Sequence, residues 1–215
     1  MIKLIIFDLD GTLLDSIADL ANSTNYALQK NQFLTHEIPA YKFFVGNGIN
    51  KLFERALPEG EKTEANILKI RKDFLEYYDC HNADFTAPYP GIQELLTELQ
   101  KGGKLLAVAS NKYQDATRKL VAEYFPEIHF AAVFGQRESI PVKPDPRIVF
   151  DILSDTGIPA NETLYVGDSG VDMQTAMNAG VTSVGVTWGF RPRAELEKFS
   201  PGYIIDKAEE ILALV

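Results

Sequence analysis

The sequence predicts an α/β protein, a parallel-sheet Rossmann-like core with an all-helical segment inserted after its first strand. Three observations carry this: short β-branched apolar runs that end at polar or glycine residues, helical patterns alternating with them in the C-terminal part, and one long stretch with helical patterns only. Lys3 to Phe7 is apolar and stops at Asp8, as expected of a strand buried on both faces. From about residue 16 to 86 the helical stretches Ile17–Lys30, Ala40–Phe44, Ile49–Leu57 and Thr63–Tyr78 follow one another. Leu52, Phe53, Ala56 and Leu57 sit at helical spacing, as do Ile67, Ile70, Phe74, Leu75 and Tyr78, which predicts the inside of a small bundle. The segment from Thr86 to Gly91, with Pro88 and Pro90, reads as a linker back to the core. Helix and strand then alternate: Gly91–Lys101, Lys104–Ala109, Gln114–Tyr124, Phe130–Phe134, Arg147–Ser154, Thr163–Val166, Val171–Asn178, Ser183–Val186 and Tyr203–Ile205. Right-handed crossovers then cover a parallel sheet with helices on both faces. The core is expected from residues 1–15 and 87–215, the helical part from 16–86.

The 215 residues carry 21 Lys and Arg against 30 Asp and Glu, a net charge of −9, with 46% hydrophobic content. This is an ordinary globular composition with enough apolar material for a core. The acidity argues against a nucleic-acid partner, because phosphate-backbone affinity needs clustered Lys and Arg. Cys80 stands alone, which excludes an intrachain disulfide and predicts a small buried hydrophobe. No apolar run approaches the ~20 residues of a membrane span, and Asp8 interrupts the N-terminal run before it reaches signal-peptide length. A cytoplasmic protein, monomer or homodimer, is expected, with no membrane or nucleic-acid partner.

Ligands of open α/β sheets bind beyond the carboxyl ends of the strands. Four loops there deliver chemistry: Asp8-Leu-Asp10-Gly-Thr12-Leu, Ser110-Asn111-Lys112, Lys143-Pro144, and Gly167-Asp168-Ser-Gly-Val-Asp172. Several carboxylates gathered at one edge repel one another unless a cation or proton offsets them. Oxygen donors without nitrogen or sulfur partners favour a hard ion such as Mg²⁺. A lysine and a hydroxyl beside them suit a phosphoryl group.

In this order, the Asp8-x-Asp10-Gly-Thr-Leu, Ser110-Asn111, Lys143-Pro144 and Gly-Asp168-x₃-Asp172 segments resemble the four motifs of the haloacid dehalogenase superfamily of phosphohydrolases. They span most of the chain, and the helical insertion is similar to that superfamily's cap domain. Within it, Val45-Gly46-Asn47-Gly48 followed by Leu52-Phe-Glu-Arg55-Ala-Leu57, and Gly185-Val-Thr-Trp188-Gly-Phe-Arg191, resemble phosphoglycolate phosphatases.

The resemblance implies a Mg²⁺-dependent phosphatase acting on a small phosphorylated metabolite, with 2-phosphoglycolate the first candidate. Asp8 would be the nucleophile, forming an aspartyl-phosphate. Asp10 would protonate the leaving alkoxide and then activate water, which requires it to be protonated when substrate arrives. Asp8, Asp168 and the backbone carbonyl of Asp10 would hold Mg²⁺, with Asp172 in the metal group directly or by orienting Lys143 or a metal-bound water. Thr12 and the Gly11 turn would hold this geometry, Ser110 and the Asn111 backbone would grip the phosphoryl oxygens, and Lys143 would neutralise charge. Gly46, Asn47 and Gly48, opening a helix, would offer N–H groups to a substrate carboxylate, and Arg191 would help hold an anion.

Other readings stay open at this point. The superfamily also holds pyrophosphatases, sugar-phosphate phosphatases and phosphomutases, although mutases usually have Gly-Val where this chain has Gly11-Thr12. A phosphonate hydrolase using Lys51 as a Schiff base is a second rival, and a non-catalytic phosphate-binding regulator a third. Gly46-x-Gly48 alone is as readily a plain helix-start turn, and Arg191 as readily a surface stem packed on Trp188. His36, His81 and His129 lack partners that would suggest a metal, and Glu59–Lys62 reads as a solvated bend.

Overall fold

The computed structural model describes all residues, Met1–Val215. Its larger sheet has six strands, all pairs parallel: β1 (Leu4–Phe7), β4 (Leu105–Tyr113), β5 (Phe130–Gln136), β6 (Thr163–Gly167), β7 (Thr182–Val186) and β8 (Tyr203–Ile205). The order β5-β4-β1-β6-β7-β8 puts the first strand at the centre, where the crossovers reverse direction. Four consecutive apolar residues suit that position because both faces are covered. Ile5 and Phe7 pack into one apolar cluster, while Leu4 and Ile6 pack into another on the opposite face.

Helices α5 (Ile92–Lys101), α6 (Gln114–Tyr124), α7 (Arg147–Thr156), α8 (Gly170–Ala179) and the short α9 (Arg193–Glu197) lie between the core strands. Helix α8 begins at a capping box, in which Ser169 and Asp172 satisfy each other's backbone N–H groups. The helical segment comprises α1 (Ile17–Lys30), α2 (Ile38–Phe44), α3 (Ile49–Ala56) and α4 (Glu64–His81). It has its own apolar cluster, built around Tyr41, Phe53, Phe74 and Tyr78, to which the core lends Ala116 and Phe190, with Tyr113 packed against it.

Several details differ from the sequence reading. Two-residue strands β2 (Leu14–Asp15) and β3 (Ala87–Pro88) pair antiparallel where the segment after Thr86 reads as a plain linker, tying the two chain crossings together. Strand β4 runs past Ala109 to Tyr113 through a register shift, and that irregularity turns Ser110, Asn111 and Lys112 toward the strand ends. Cys80 is exposed, because it lies off the buried face formed by Ile70, Phe74 and Tyr78. His81 does have an acidic partner, Asp84 at 2.8 Å. Glu59–Glu61 forms one exposed 3₁₀ turn. No helix is long and apolar enough to cross a membrane.

Candidate active site

The site is built from strand ends. Asp8 follows β1, and its backbone N–H continues the ladder by donating to Val166 O at 2.9 Å. Its Oδ1 accepts from Leu9 N at 2.7 Å and faces Lys143 Nζ at 3.0 Å. No hydrogen bond engages Oδ2, which leaves one oxygen free for a reacting group. Burial pushes the Asp8 carboxyl from the ordinary 3.8 up to about 7; Lys143 opposes this, and Asp172 and Asp10 add to it.

Lys143 is buried, and its ammonium also meets Asp172 Oδ1 at 2.7 Å and the Tyr165 hydroxyl oxygen at 3.0 Å. Burial would depress its pKa, but Asp172 and Asp8 outweigh that and hold it well above the ordinary lysine value. The lysine is therefore a fixed cation. Its backbone is pinned as well, since Lys143 N donates to Asn111 Oδ1 at 2.8 Å and Asn111 Nδ2 donates to Lys143 O at 3.1 Å.

Asp168 sits at the end of β6, where its Oδ2 accepts from Phe190 N at 2.7 Å and Oδ1 has no partner. Burial, then Asp172 and Asp8, raise its pKa well above the ordinary value. Carboxylate oxygens of Asp8, Asp168 and Asp172 lie within 4.8 Å of one another. The fit to a hard divalent ion rests on this donor set: oxygens only, one unpartnered on Asp8 and one on Asp168, with Lys143 the single cation touching the group. Asp172 fits less well as a direct ligand than the sequence allowed, because both of its oxygens are taken. Oδ1 binds Lys143, and Oδ2 accepts from Ser169 N at 3.1 Å and Ser169 Oγ at 2.5 Å.

Asp10 lines the same cleft as Asp8 and Asp168 but stands outside that three-carboxylate group. Its Oδ1 accepts from Ser16 Oγ at 2.5 Å, and both oxygens meet Lys112 Nζ, at 3.0 and 3.1 Å. Lys112 carried no role in the sequence reading beyond its place at the strand end. Its partner is 102 residues away, so no local pattern could reveal the pair. Tyr165 was also missed as a site residue, reading only as one more apolar strand position.

The remaining expected residues are placed as follows. Ser110 is buried at the cleft, and Gly46, Gly48 and Arg191 line it. Thr12 does not line the cleft; it is fully buried beneath the turn, and its carbonyl accepts from Trp188 Nε1 at 3.0 Å. Asn47 is also outside the lining, because its Oδ1 accepts from Arg55 Nη2 at 2.7 Å. Arg191 is not stacked on Trp188. It reaches the helical segment instead, donating to Lys42 O and, at 2.9 Å, to Val45 O. Asn111 Nδ2 adds a bond to Gly46 O at 3.0 Å, so the 45–48 turn lies directly over the strand ends. Lys51 pairs with Glu54 at 2.6 Å, more than half exposed and outside the cleft.

Two glycines fix Asp168. Gly11 has φ +88°, and a Cβ there would stand 2.5 Å from Asp168 Oδ2. At Gly189 a Cβ would collide with Asp168 Cβ and the Gly11 carbonyl oxygen.

The chain as a whole is similar to known proteins. Residues 5–186 match the model of the haloacid dehalogenase-like hydrolase family. A phosphoglycolate phosphatase of Mesorhizobium japonicum is 34% identical over 204 residues, covering 94% of this chain and 89% of the relative. That of Vibrio parahaemolyticus is 31% identical, covering 100% and 96%. The crystal structure of a predicted phosphoglycolate phosphatase from Haemophilus somnus superposes with a TM-score of 0.92 at 30% identity, covering 99% of this chain and 97% of that one. With four loops converging on Asp8 and full-length likeness to these proteins, the chain belongs to the haloacid dehalogenase-like hydrolase family, and is an enzyme of that family.

Proposed function

We propose that the protein is a Mg²⁺-dependent phosphatase that hydrolyses a small phosphate monoester, 2-phosphoglycolate first, through an aspartyl-phosphate on Asp8. The observation that carries this is Asp8, whose Oδ1 is held by Leu9 N and by Lys143 at 3.0 Å while its Oδ2 stays free, with the acid Asp10 two residues on. Asp8 would attack phosphorus as the ester P–O bond breaks, and Asp10 would give its proton to the departing alkoxide oxygen. Asp10 would then take a proton from the water that attacks the aspartyl-phosphate, releasing inorganic phosphate and restoring Asp8. Lys143, kept charged by Asp172, offsets negative charge on the phosphoryl oxygens in both steps. Ser110 and the backbone after it would orient those oxygens, and the 45–48 turn overhead would limit bulk water. Mg²⁺ bound to Asp8, Asp168 and the carbonyl of Asp10 would neutralise charge between nucleophile and phosphate.

The relatives named phosphoglycolate phosphatases support this substrate. Lys51 on Glu54, outside the cleft, disfavours a Schiff-base route. The helical segment would act as the cap that selects the leaving group, and the enzyme would act on a diffusible cytoplasmic metabolite as a monomer or homodimer. The test is phosphate release from a panel of phosphorylated metabolites with Mg²⁺, repeated on Asp8→Asn. The expected result is highest kcat/KM on 2-phosphoglycolate and loss of at least about 10³-fold in the variant. Turnover that survives in Asp8→Asn, or a trapped phosphoryl label on another side chain, overturns the mechanism.

A further inference from the structure

We propose that Lys112 reads the carboxylate of the leaving group, making this enzyme selective for phosphate esters of short hydroxy acids. The inference deepens the phosphatase reading and rests on it. Lys112 Nζ lies 3.0 Å from Asp10, the residue whose proton goes to the leaving oxygen. A general acid approaches the atom it protonates to about 2.6–3.2 Å. The lysine nitrogen is therefore within about 6 Å of the ester oxygen wherever that oxygen sits around Asp10. In 2-phosphoglycolate a single carbon separates the ester oxygen from the carboxylate, so a carboxylate turned toward Lys112 comes within reach of this ammonium.

The other cations of the site are already engaged. Lys143 is shared between Asp8 and Asp172, Arg191 serves the carbonyls of Lys42 and Val45, and Arg55 serves Phe44 O and Asn47. Lys112 has three protons, and all its hydrogen-bonded side-chain oxygens belong to one carboxylate. It is only 4% exposed, so a second anion meets it in a poorly screened setting where charge-assisted bonds are strong. Its opposite flank rests on the ring of Tyr78 at 4.8 Å, which fixes the ammonium from the helical side. On the helical side the same cleft is lined by Leu20, Leu52 and Phe74, which offer a carboxylate no partner.

The experiment compares kcat/KM on 2-phosphoglycolate with that on 2-hydroxyethyl phosphate, which replaces the carboxylate by an uncharged group, in wild type, Lys112→Met and Lys112→Arg. Both substrates are measured on the same sample, so the ratio is blind to the fraction folded and to any general loss through Asp10. The wild type is expected to favour 2-phosphoglycolate, Lys112→Met to lower the ratio by about 30- to 100-fold, and Lys112→Arg to restore most of it. A wild type that prefers 2-phosphoglycolate together with an unchanged ratio in Lys112→Met overturns the lysine assignment alone. A wild type with no preference overturns both the assignment and the substrate reading.

Discussion

At the residue scale, the position of Asp168 depends on two missing side chains. Its carboxylate is squeezed between the Gly11 turn and Gly189, and accepts one backbone N–H, from Phe190, the residue after that glycine. Packed interiors transmit even small volume changes, so there is no slack to absorb a methyl group at position 189. Gly189→Ala is expected to cost about 2–3 kcal/mol of stability and to push the carboxylate out of line with Asp8. Urea denaturation measures the first effect and titration with Mn²⁺ the second. A variant with unchanged midpoint and metal affinity would show that this wedge does not matter. Asp172 illustrates the converse. It accepts bonds at both oxygens and carries none of the free valence found on Asp8 and Asp168, so its place is to hold Lys143 charged and still.

At the scale of elements, the two chain crossings between core and helices are organised by Asp19 in the first turn of α1. Its carboxylate accepts from Phe85 N at 3.1 Å, Thr86 N at 2.8 Å and Thr86 Oγ1 at 2.7 Å, while Tyr124 OH of α6 donates to Thr86 O at 2.8 Å. Asp19→Asn replaces one accepting oxygen by a donor and leaves a buried N–H or hydroxyl facing an NH₂ group. The expected loss is about 1–3 kcal/mol, read as a lower urea midpoint at constant slope. A midpoint that does not move would mean the β2–β3 pair alone holds the crossing. This hinge was invisible in the sequence, whereas helices such as Ile17–Lys30 and Gln114–Tyr124 and the strand Tyr203–Ile205 match the structure end to end. The difference is physical. Apolar runs and helical periodicity are local records of burial, but Asp19 finds Thr86 across 67 residues, and β2 and β3 are strands only because folding brings them side by side. The candidate site divides in the same way. Asp8, Asp10 and Asp168 could be read from where they fall at strand ends, and Ser110 and Lys143 from their place in the order of the four segments, and the structure brings them together. Lys112 on Asp10 and Arg191 on the 45–48 turn depend on contacts 102 and 146 residues apart, which no spacing encodes.

At the scale of the whole molecule, a chain of net charge −9 buries a group of carboxylates that repel one another at its centre, and this couples stability to pH and to metal. In the metal-free protein, folding raises the Asp8 carboxyl from 3.8 to about 7 and raises Asp168 in the same direction. Between those two values the folded state holds a proton that the unfolded chain has given up. Unfolding therefore releases protons in this window, and stability falls as pH rises through it. The contribution is complete below about pH 4 and lost above about pH 7. The carboxylates of Asp73 and Asp151 shift the other way, downward, so their titration lies below the window and does not cancel the trend. A divalent ion needs these same oxygens deprotonated, so it competes with protons and recovers at high pH what the empty group loses. The expected outcome is a Tm that declines from pH 5 to pH 8 in EDTA, and a rise in Tm on adding Mg²⁺ that is larger at pH 8 than at pH 5. Asp8→Asn, uncharged at every pH, should flatten most of the metal-free slope. If the EDTA profile instead climbs over that range, or if Mg²⁺ stabilises equally at both pH values, proton and metal do not compete for one buried acidic group.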